Sequence, residues 1–173
     1  MNTFYPSYVW QYCPWCGAKS FRAGDGNYLQ CDVCRKQFYI NTAGAVACII
    51  ENPQGEILFT RRAFDPAKGM LDLPGGFVNL DETAENAVKR EIKEELNLEV
   101  ASLQYIGSSP NHYLYGGLIY FTLDMGFKCL VTDFSNIRPA DDVDGYIFLP
   151  HNRINMDHIC FPSIRKILQL YLE

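Results

Sequence analysis

The chain of 173 residues has no long apolar run, and nothing in it approaches the roughly 20 consecutive apolar residues that a membrane-spanning helix needs. Its first residues, Met1-Asn2-Thr3-Phe4-Tyr5-Pro6, lack the basic region and apolar core of a secretory signal. Low-complexity stretches are absent, and the expected location is the cytoplasm. Cations are scarce: 15 Lys and Arg stand against 20 Asp and Glu, for a net charge of −5. Residues 1–40 hold four basic and two acidic side chains, and the remainder holds eleven and eighteen. A body this acidic is a poor general binder of nucleic acid, whose affinity rests on Lys and Arg meeting phosphates. An anionic small molecule would need metal ions to mediate its contacts. The seven cysteines are odd in number and do not read as a disulfide framework, which suits a reducing compartment.

Four of those cysteines are present as two close pairs, Cys13-Pro14-Trp15-Cys16 and Cys31-Asp32-Val33-Cys34, fourteen residues apart. Each Cys-x-x-Cys lets two thiolates from one tight turn reach one ion, and two such turns complete a tetrahedron. Gly17 and the run Gly24-Asp25-Gly26 supply turns for a short hairpin between them. The spacing predicts a zinc ribbon over residues 1–40, with a closed structural Zn²⁺ on Cys13, Cys16, Cys31 and Cys34. A module this short buries little core, so the metal would supply much of its folding energy. Cys48, Cys129 and Cys160 are scattered among apolar residues and read as small core side chains.

The rest, residues 41–173, reads as one mixed α/β domain. Ala43 to Ile50 is a continuous apolar strand, Asn52-Pro53-Gln54-Gly55 is a turn, and Glu56 to Arg62 reads as the second arm of a hairpin. Further strands are expected at 98–106, 117–124, 127–132 and 145–149. A closing helix follows Pro162. The most informative segment is a helix from about Thr83 to Leu96. At 100° per residue, Ala84, Ala87, Val88 and Ile92 share one side, and Asn86, Lys89, Arg90 and Lys93 the other. Glu91 and Glu95 project from the middle of the apolar side, with Glu94 at its edge. Carboxylates there are expensive unless paired or bound to metal. Their i, i+3, i+4 spacing points three hard oxygen ligands at one patch, as a Mg²⁺ or Mn²⁺ site requires.

These glutamates lie within a longer pattern: Gly76, five residues, Glu82, seven residues, then Arg90-Glu91-Ile92-Lys93-Glu94-Glu95-Leu96-Asn97-Leu98. It resembles the Nudix box, with Asn97 where the family has a glycine. That glycine closes the helix in a left-handed conformation, which asparagine tolerates best among the other residues. A four-cysteine ribbon before such a domain is similar to the NADH pyrophosphatase branch and its ADP-ribose-cleaving relatives. The resemblance implies an α/β/α sandwich with a mixed sheet, preceded by the ribbon. It implies a pyrophosphohydrolase in which Glu91, Glu94, Glu95 and the Gly75 carbonyl hold Mg²⁺ or Mn²⁺. Glu82 would pair with Arg90 and orient the helix, and Glu91 would help to deprotonate the attacking water. A further acid from a later loop is expected among Asp141, Asp142 and Asp144, with Asp142 favoured.

The expected substrate is a nucleoside diphosphate joined to another group, ADP-ribose- or NADH-like. The branch's Ser-Gln-Pro-Trp stretch is Ser108-Ser109-Pro110-Asn111 here, followed by His112-Tyr113-Leu114-Tyr115. Losing the glutamine and tryptophan weakens the case for NADH itself. Tyr113 and Tyr115 either stack on a base or pack on the core. Arg61 and Arg62, which end a strand before the box, either reach a phosphate or are solvated or paired. Three rival readings stand beside this one: a nucleoside triphosphate pyrophosphatase, a non-catalytic nucleotide sensor, and a ribbon that docks nucleic acid or a partner through Trp15, Phe21 and Tyr28. A second copy of the chain, as a homodimer, is a candidate partner.

Overall fold

The computed structural model describes residues 4–24 and 27–173. The turn expected at Asp25-Gly26 and the opening Met1-Asn2-Thr3 lie outside them. Among the described residues no helix is long and apolar enough to cross a membrane. The chain divides into two compact units: residues up to Thr42 together with His112–Phe121, and Ala43–Asn111 together with Thr122–Glu173.

In the first unit a one-turn helix α1 (Pro6–Val9) precedes three short strands, β1 (Phe21–Ala23), β2 (Tyr28–Cys31) and β3 (Gln37–Tyr39). They form an antiparallel sheet in that order, one strand more than the hairpin expected from the glycines. Two knuckles of the same build carry the cysteine pairs. The Gly17 N–H donates to the Cys13 carbonyl and the Arg35 N–H to the Cys31 carbonyl, each at 2.9 Å. Both closing residues lie at positive φ, 71° for Gly17 and 63° for Arg35. The glycine was legible as a turn former; the arginine was not.

The second unit is an α/β/α sandwich. One sheet has the order β4 (Ala43–Ile50), β8 (Leu118–Leu130), β7 (Ser102–Tyr115), with β4 and β8 parallel; the stretch of β7 and β8 between His112 and Phe121 is grouped with the first unit. The other has the order β6 (Leu71–Asp72), β5 (Glu56–Arg62), β9 (Val143–Pro150), all antiparallel. Side chains alternate along a strand, so β4 serves two cores. Val46, Cys48 and Ile50 pack with Ala87, Val88, Ile92 and Leu96 of helix α2 (Ala84–Leu96). Ala47 and Ile49 pack with Ile164, Ile167 and Leu168 of helix α3 (Pro162–Leu172). Cys48, Cys129 and Cys160 are buried core residues, as their apolar neighbours implied.

Several strand expectations need correction. β4 and β5 are not a hairpin but belong to different sheets, joined across the turn by the Glu51–Ile57 bridge and the Asn52 N–H to Glu56 carbonyl bond. The turn itself is as read, with Asn52 Oδ1 accepting from the N–H groups of Gln54 and Glu56. The break expected at 125–126 does not occur, and β8 is one strand of 13 residues. Gly126 lies within it because α3 comes so close: a Cβ there would lie 2.5 Å from Cγ2 of Ile167. The strand expected at 98–106 starts at Ser102 and continues to Tyr115, so the Ser108–Tyr115 stretch is part of the same strand.

Candidate active site

Helix α2 begins at Thr83, whose hydroxyl accepts the Asn86 N–H at 3.2 Å, and ends at Asn97 with φ 55° and ψ 33°. Asn97 thus takes the left-handed place of the missing glycine, and its Nδ2 donates to the Asn136 carbonyl at 3.1 Å. Between these caps the phase of the helix buries Glu91 and Glu95, at 9% and 5% exposure, and leaves Glu94 at the rim.

The Pro74-Gly75-Gly76 turn faces those carboxylates. The Cys48 N–H donates to the Pro74 carbonyl and the Val46 N–H to the Gly76 carbonyl, both at 2.8 Å, so β4 holds the turn on alternate residues. Gly75 lies between them with its N–H donating to Glu95 Oε2 at 3.0 Å. A side chain at Gly75 would run into backbone, and one at Gly76 would push the Glu91 carboxylate aside. At Gly75 (φ 145°) a Cβ would lie 2.1 Å from the Val46 carbonyl oxygen, and at Gly76 it would lie 2.6 Å from Glu91 Oε1.

Arg90 is the hub on the other side. Its Nε and Nη2 take both oxygens of Glu82 at 2.9 and 2.8 Å, a bidentate pair. Nη1 donates to Glu91 at 2.7 Å and to Glu94 at 3.0 Å, and Nη2 also reaches the Phe77 carbonyl at 2.9 Å. The Arg90 guanidinium and, second, the Asn79 N–H hold the Glu82 carboxyl down to about 2, from an ordinary value of 4.5. The unfolded chain therefore binds that proton more tightly than the folded one. The contribution of the pair is complete above the unfolded value and is lost as pH falls from 4.5 towards about 2. Thermal melts across that window should show the gap between wild type and Glu82→Gln narrowing. A constant gap would mean that the charge of Glu82 is not what holds Arg90.

Burial works the other way on the buried pair. It raises the Glu91 carboxyl above its usual range, with Arg90 partly opposing and the charges of Glu94 and Asp142 adding to it. It raises Glu95 further; the Gly75 N–H opposes, while Asp142, Glu91 and Asp72 add to it. Asp142 is thus close enough to act on both glutamates. Hard oxygens in a place where ionisation is disfavoured fit a divalent cation, which would offset that cost. The glutamate oxygens are spread about Arg90, however, and are not drawn as close together as the four cysteines are.

Cys13, Cys16, Cys31 and Cys34 have their sulfurs all within 4.8 Å of one another, a donor set that could hold a metal ion. Cys13 and Cys34 are 3.6 Å apart, as are Cys16 and Cys31. The Ser20 hydroxyl and the Cys34 N–H hold the Cys31 thiol down to about 6. Cys16 is pushed up to about 12: an Ala18 N–H favours its thiolate, but desolvation and the three neighbouring sulfurs outweigh that. Four sulfurs this close ionise together only around a cation, and soft thiolates suit Zn²⁺.

The remaining expected residues are placed as follows. Arg61 is exposed, with Nη1 on the Gly69 carbonyl at 2.7 Å. Arg62 turns inward to Asp72 and is the paired case of the alternatives, not a solvated one. Tyr113 and Tyr115 belong to the first unit, where their rings stack at 6.3 Å and 20°. Phe21 is buried in the ribbon core, while Trp15 is 48% exposed. Asp72 was not anticipated, although one acid between leucines in Leu71-Asp72-Leu73-Pro74 is a signal of a buried charge.

A carboxylate-bearing helix behind a double-glycine turn, on an α/β/α sandwich, is the architecture of a Nudix domain. The NUDIX domain profile matches residues 41–169, and the chain belongs to that family. An ADP-ribose pyrophosphatase of Methanocaldococcus jannaschii is 44% identical over 98 residues, covering 54% of this chain and 57% of the relative. An NAD-capped RNA hydrolase, NudC, of Vibrio atlanticus is 28% identical over 134 residues, covering 78% of this chain and 49% of the relative. The chain thus spans about half the length of these curated relatives. A Nudix hydrolase of Nitrosomonas europaea shares the fold with a TM-score of 0.70 at 24% identity, over 94% of this chain and 90% of that one.

Proposed function

We propose that the chain is a Mg²⁺- or Mn²⁺-dependent pyrophosphohydrolase that splits a nucleoside diphosphate derivative, ADP-ribose- or NADH-like, into two phosphomonoesters. The observation that carries this reading is the phase of α2, which buries Glu91 and Glu95 beside a turn whose Gly75 has no room for a Cβ. The relatives' names support the substrate class. Glu91, Glu94, Glu95 and the Gly75 carbonyl would hold the divalent ion, which supplies charge neutralisation on the diphosphate and acidifies a water. Glu91, its carboxyl raised by burial, is the group that would take the proton from that water. Arg90, clamped by Glu82, keeps Glu91 and Glu94 in place, and Asp142 adds a negative charge to the same patch. Water attacks one phosphorus, the anhydride oxygen leaves on the other phosphate, and each half of the substrate keeps one phosphate. Phosphoryl transfer asks mainly for this positioning and charge stabilisation.

We take residues 1–40 as a ribbon built on structural Zn²⁺ and 41–173 as the hydrolase domain, working in the cytoplasm on a small molecule, with a homodimer as the candidate assembly. The test is a hydrolysis screen with Mg²⁺ over ADP-ribose, NADH, NAD⁺, dinucleoside polyphosphates and nucleoside triphosphates. ADP-ribose should be cleaved with higher kcat/KM than NADH, since Ser109 and Asn111 replace the glutamine and tryptophan of the NADH branch, and both better than ATP. A triphosphate leading the screen would overturn the substrate class.

A further inference from the structure

Arg62 and Asp72 form an ion pair that the proposed reaction leaves unused, with Nη1 3.0 Å from Oδ2 and side chains only 14% and 13% exposed. A well-packed apolar pair is often as stable as a buried ion pair, so stability alone accounts for it poorly. The guanidinium is fixed on other sides too: Nε donates to the Pro66 carbonyl at 2.7 Å, and Cζ lies 5.1 Å from the Phe161 ring centre.

Both segments that serve the glutamates start at this pair. From Asp72 the chain runs through Leu73 and Pro74 to Gly75, whose N–H donates to Glu95. Asp72 Oδ1 accepts the Leu73 N–H at 2.9 Å, which fixes the first step of that run. On the other edge of β5, Arg62 faces Val143, and the next residue, Ala63, donates its N–H to the Asp142 carbonyl at 2.9 Å. The β5–β9 register shifts between Thr60 and Arg62. The extra residue is on β9, where Asp144 and Gly145 stand against Arg61 alone, just after Asp142, and bulges are common beside active sites. Asp72 also lies near enough to Glu95 for its charge to act there.

We propose that Arg62 and Asp72 are positioning residues for the carboxylate site: the pair holds the Leu73–Gly76 turn under Glu95 and the start of β9 with Asp142 beside the same glutamates. Arg62 is then not a phosphate ligand. This inference rests on the metal reading of α2, and the experiment separates the two. Mn²⁺ binding to the zinc-loaded full chain is followed by electron paramagnetic resonance, beside kcat and KM for ADP-ribose at saturating Mn²⁺. In Arg62→Met the Mn²⁺ dissociation constant should rise about ten- to a hundredfold, the usual effect of losing a partner behind a metal ligand. The kcat should fall while KM stays within about twofold, the mark of a group that does not bind ground-state substrate. Arg62→Lys should recover only part of the loss, because an ammonium lacks the planar fork. In Arg62→Ala, which leaves a space, millimolar methylguanidinium should restore Mn²⁺ affinity. If Arg62→Met does not fold, Asp72→Asn carries the same comparison without a change of shape.

A raised KM with unchanged Mn²⁺ affinity would make Arg62 a substrate ligand and overturn the inference. Unchanged Mn²⁺ affinity and unchanged kcat would reduce the pair to a structural one. Glu95→Gln is run alongside: if it loses Mn²⁺ and Arg62→Met does not, this inference alone fails. If Glu95→Gln binds Mn²⁺ as the wild type does, the metal reading of α2 fails first.

Discussion

Glu95→Gln is expected to lose about a hundredfold or more in kcat with Mg²⁺, and Glu94→Gln to follow it, with neither variant unfolding. Charge stabilisation by a metal at a transferring phosphoryl group is worth several kcal/mol, and each loss of about 1.36 kcal/mol is tenfold in rate. The fold loses little by either change. Glutamine at 95 keeps a carbonyl for the Gly75 N–H and removes a charge that burial, Asp142, Glu91 and Asp72 all disfavour. In buffer free of Mg²⁺ and Mn²⁺ its Tm should equal or exceed that of the wild type. Glu94 is half exposed and pairs only with Arg90 among the ion pairs seen, at 3.0 Å. An exposed pair of that kind contributes about 0–1 kcal/mol, so Glu94→Gln should melt within a few degrees of wild type. If either variant melts far below wild type under those conditions, that glutamate is a structural residue and the assignment of the site is wrong.

The parts of this site that sequence reading reached are those governed by a period or a dihedral. Burial of Glu91 and Glu95 follows from 100° per residue once Ala87, Val88 and Ile92 define the inner face. The left-handed Asn97 follows from its tolerance of positive φ. What sequence reading missed depends on which segments meet in space. Adjacent strands joined by a tight turn read as a hairpin, yet β4 and β5 enter different sheets because β4 pairs with β8 from far along the chain. Gly126 read as a break because glycine ends strands more often than it makes room for a helix. Alternation along β5 turns Arg62 to the same side as Thr60, but the acid that meets it is ten residues further on, and no local pattern joins them. The shared role of Arg90 was half legible: its pair with Glu82 followed from the family pattern, but its bonds to Glu91 and Glu94 did not. The i, i+3, i+4 spacing brings the three glutamates to one patch, and within it a guanidinium competes with a cation for two of them.

Cys31→Ser is expected to cost the N-terminal ribbon its fold and the chain its zinc. The buried core of the ribbon consists of Cys13, Phe21, Leu29 and Cys31, so two of its four members belong to the proposed zinc cage. Phe21 and Leu29 contribute about 1.5–3 kcal/mol each by burial, far less than the roughly 10–16 kcal/mol that a structural Zn²⁺ supplies to a module of this kind. Cys31 is also the most committed of the four: its sulfur lies 3.4 Å from the Ser20 hydroxyl and 3.6 Å from Cys16, and its backbone closes the second knuckle. A serine hydroxyl is a poor Zn²⁺ ligand and cannot replace the thiolate. Wild-type protein should retain about one zinc per chain by elemental analysis, as closed four-thiolate sites do, and Cys31→Ser close to none. Both tryptophans of the chain, Trp10 and Trp15, lie in this unit, so the emission spectrum reports its unfolding directly as a red shift. The two metals should prove separable, because thiolates and carboxylates select different ions by softness. Zinc-loaded wild type stripped of Mg²⁺ and Mn²⁺ should not turn over, and Cys31→Ser should still bind Mn²⁺ through α2. Zinc kept by Cys31→Ser, or turnover supported by zinc alone, would each contradict this division of the two metals between the cysteines and the glutamates.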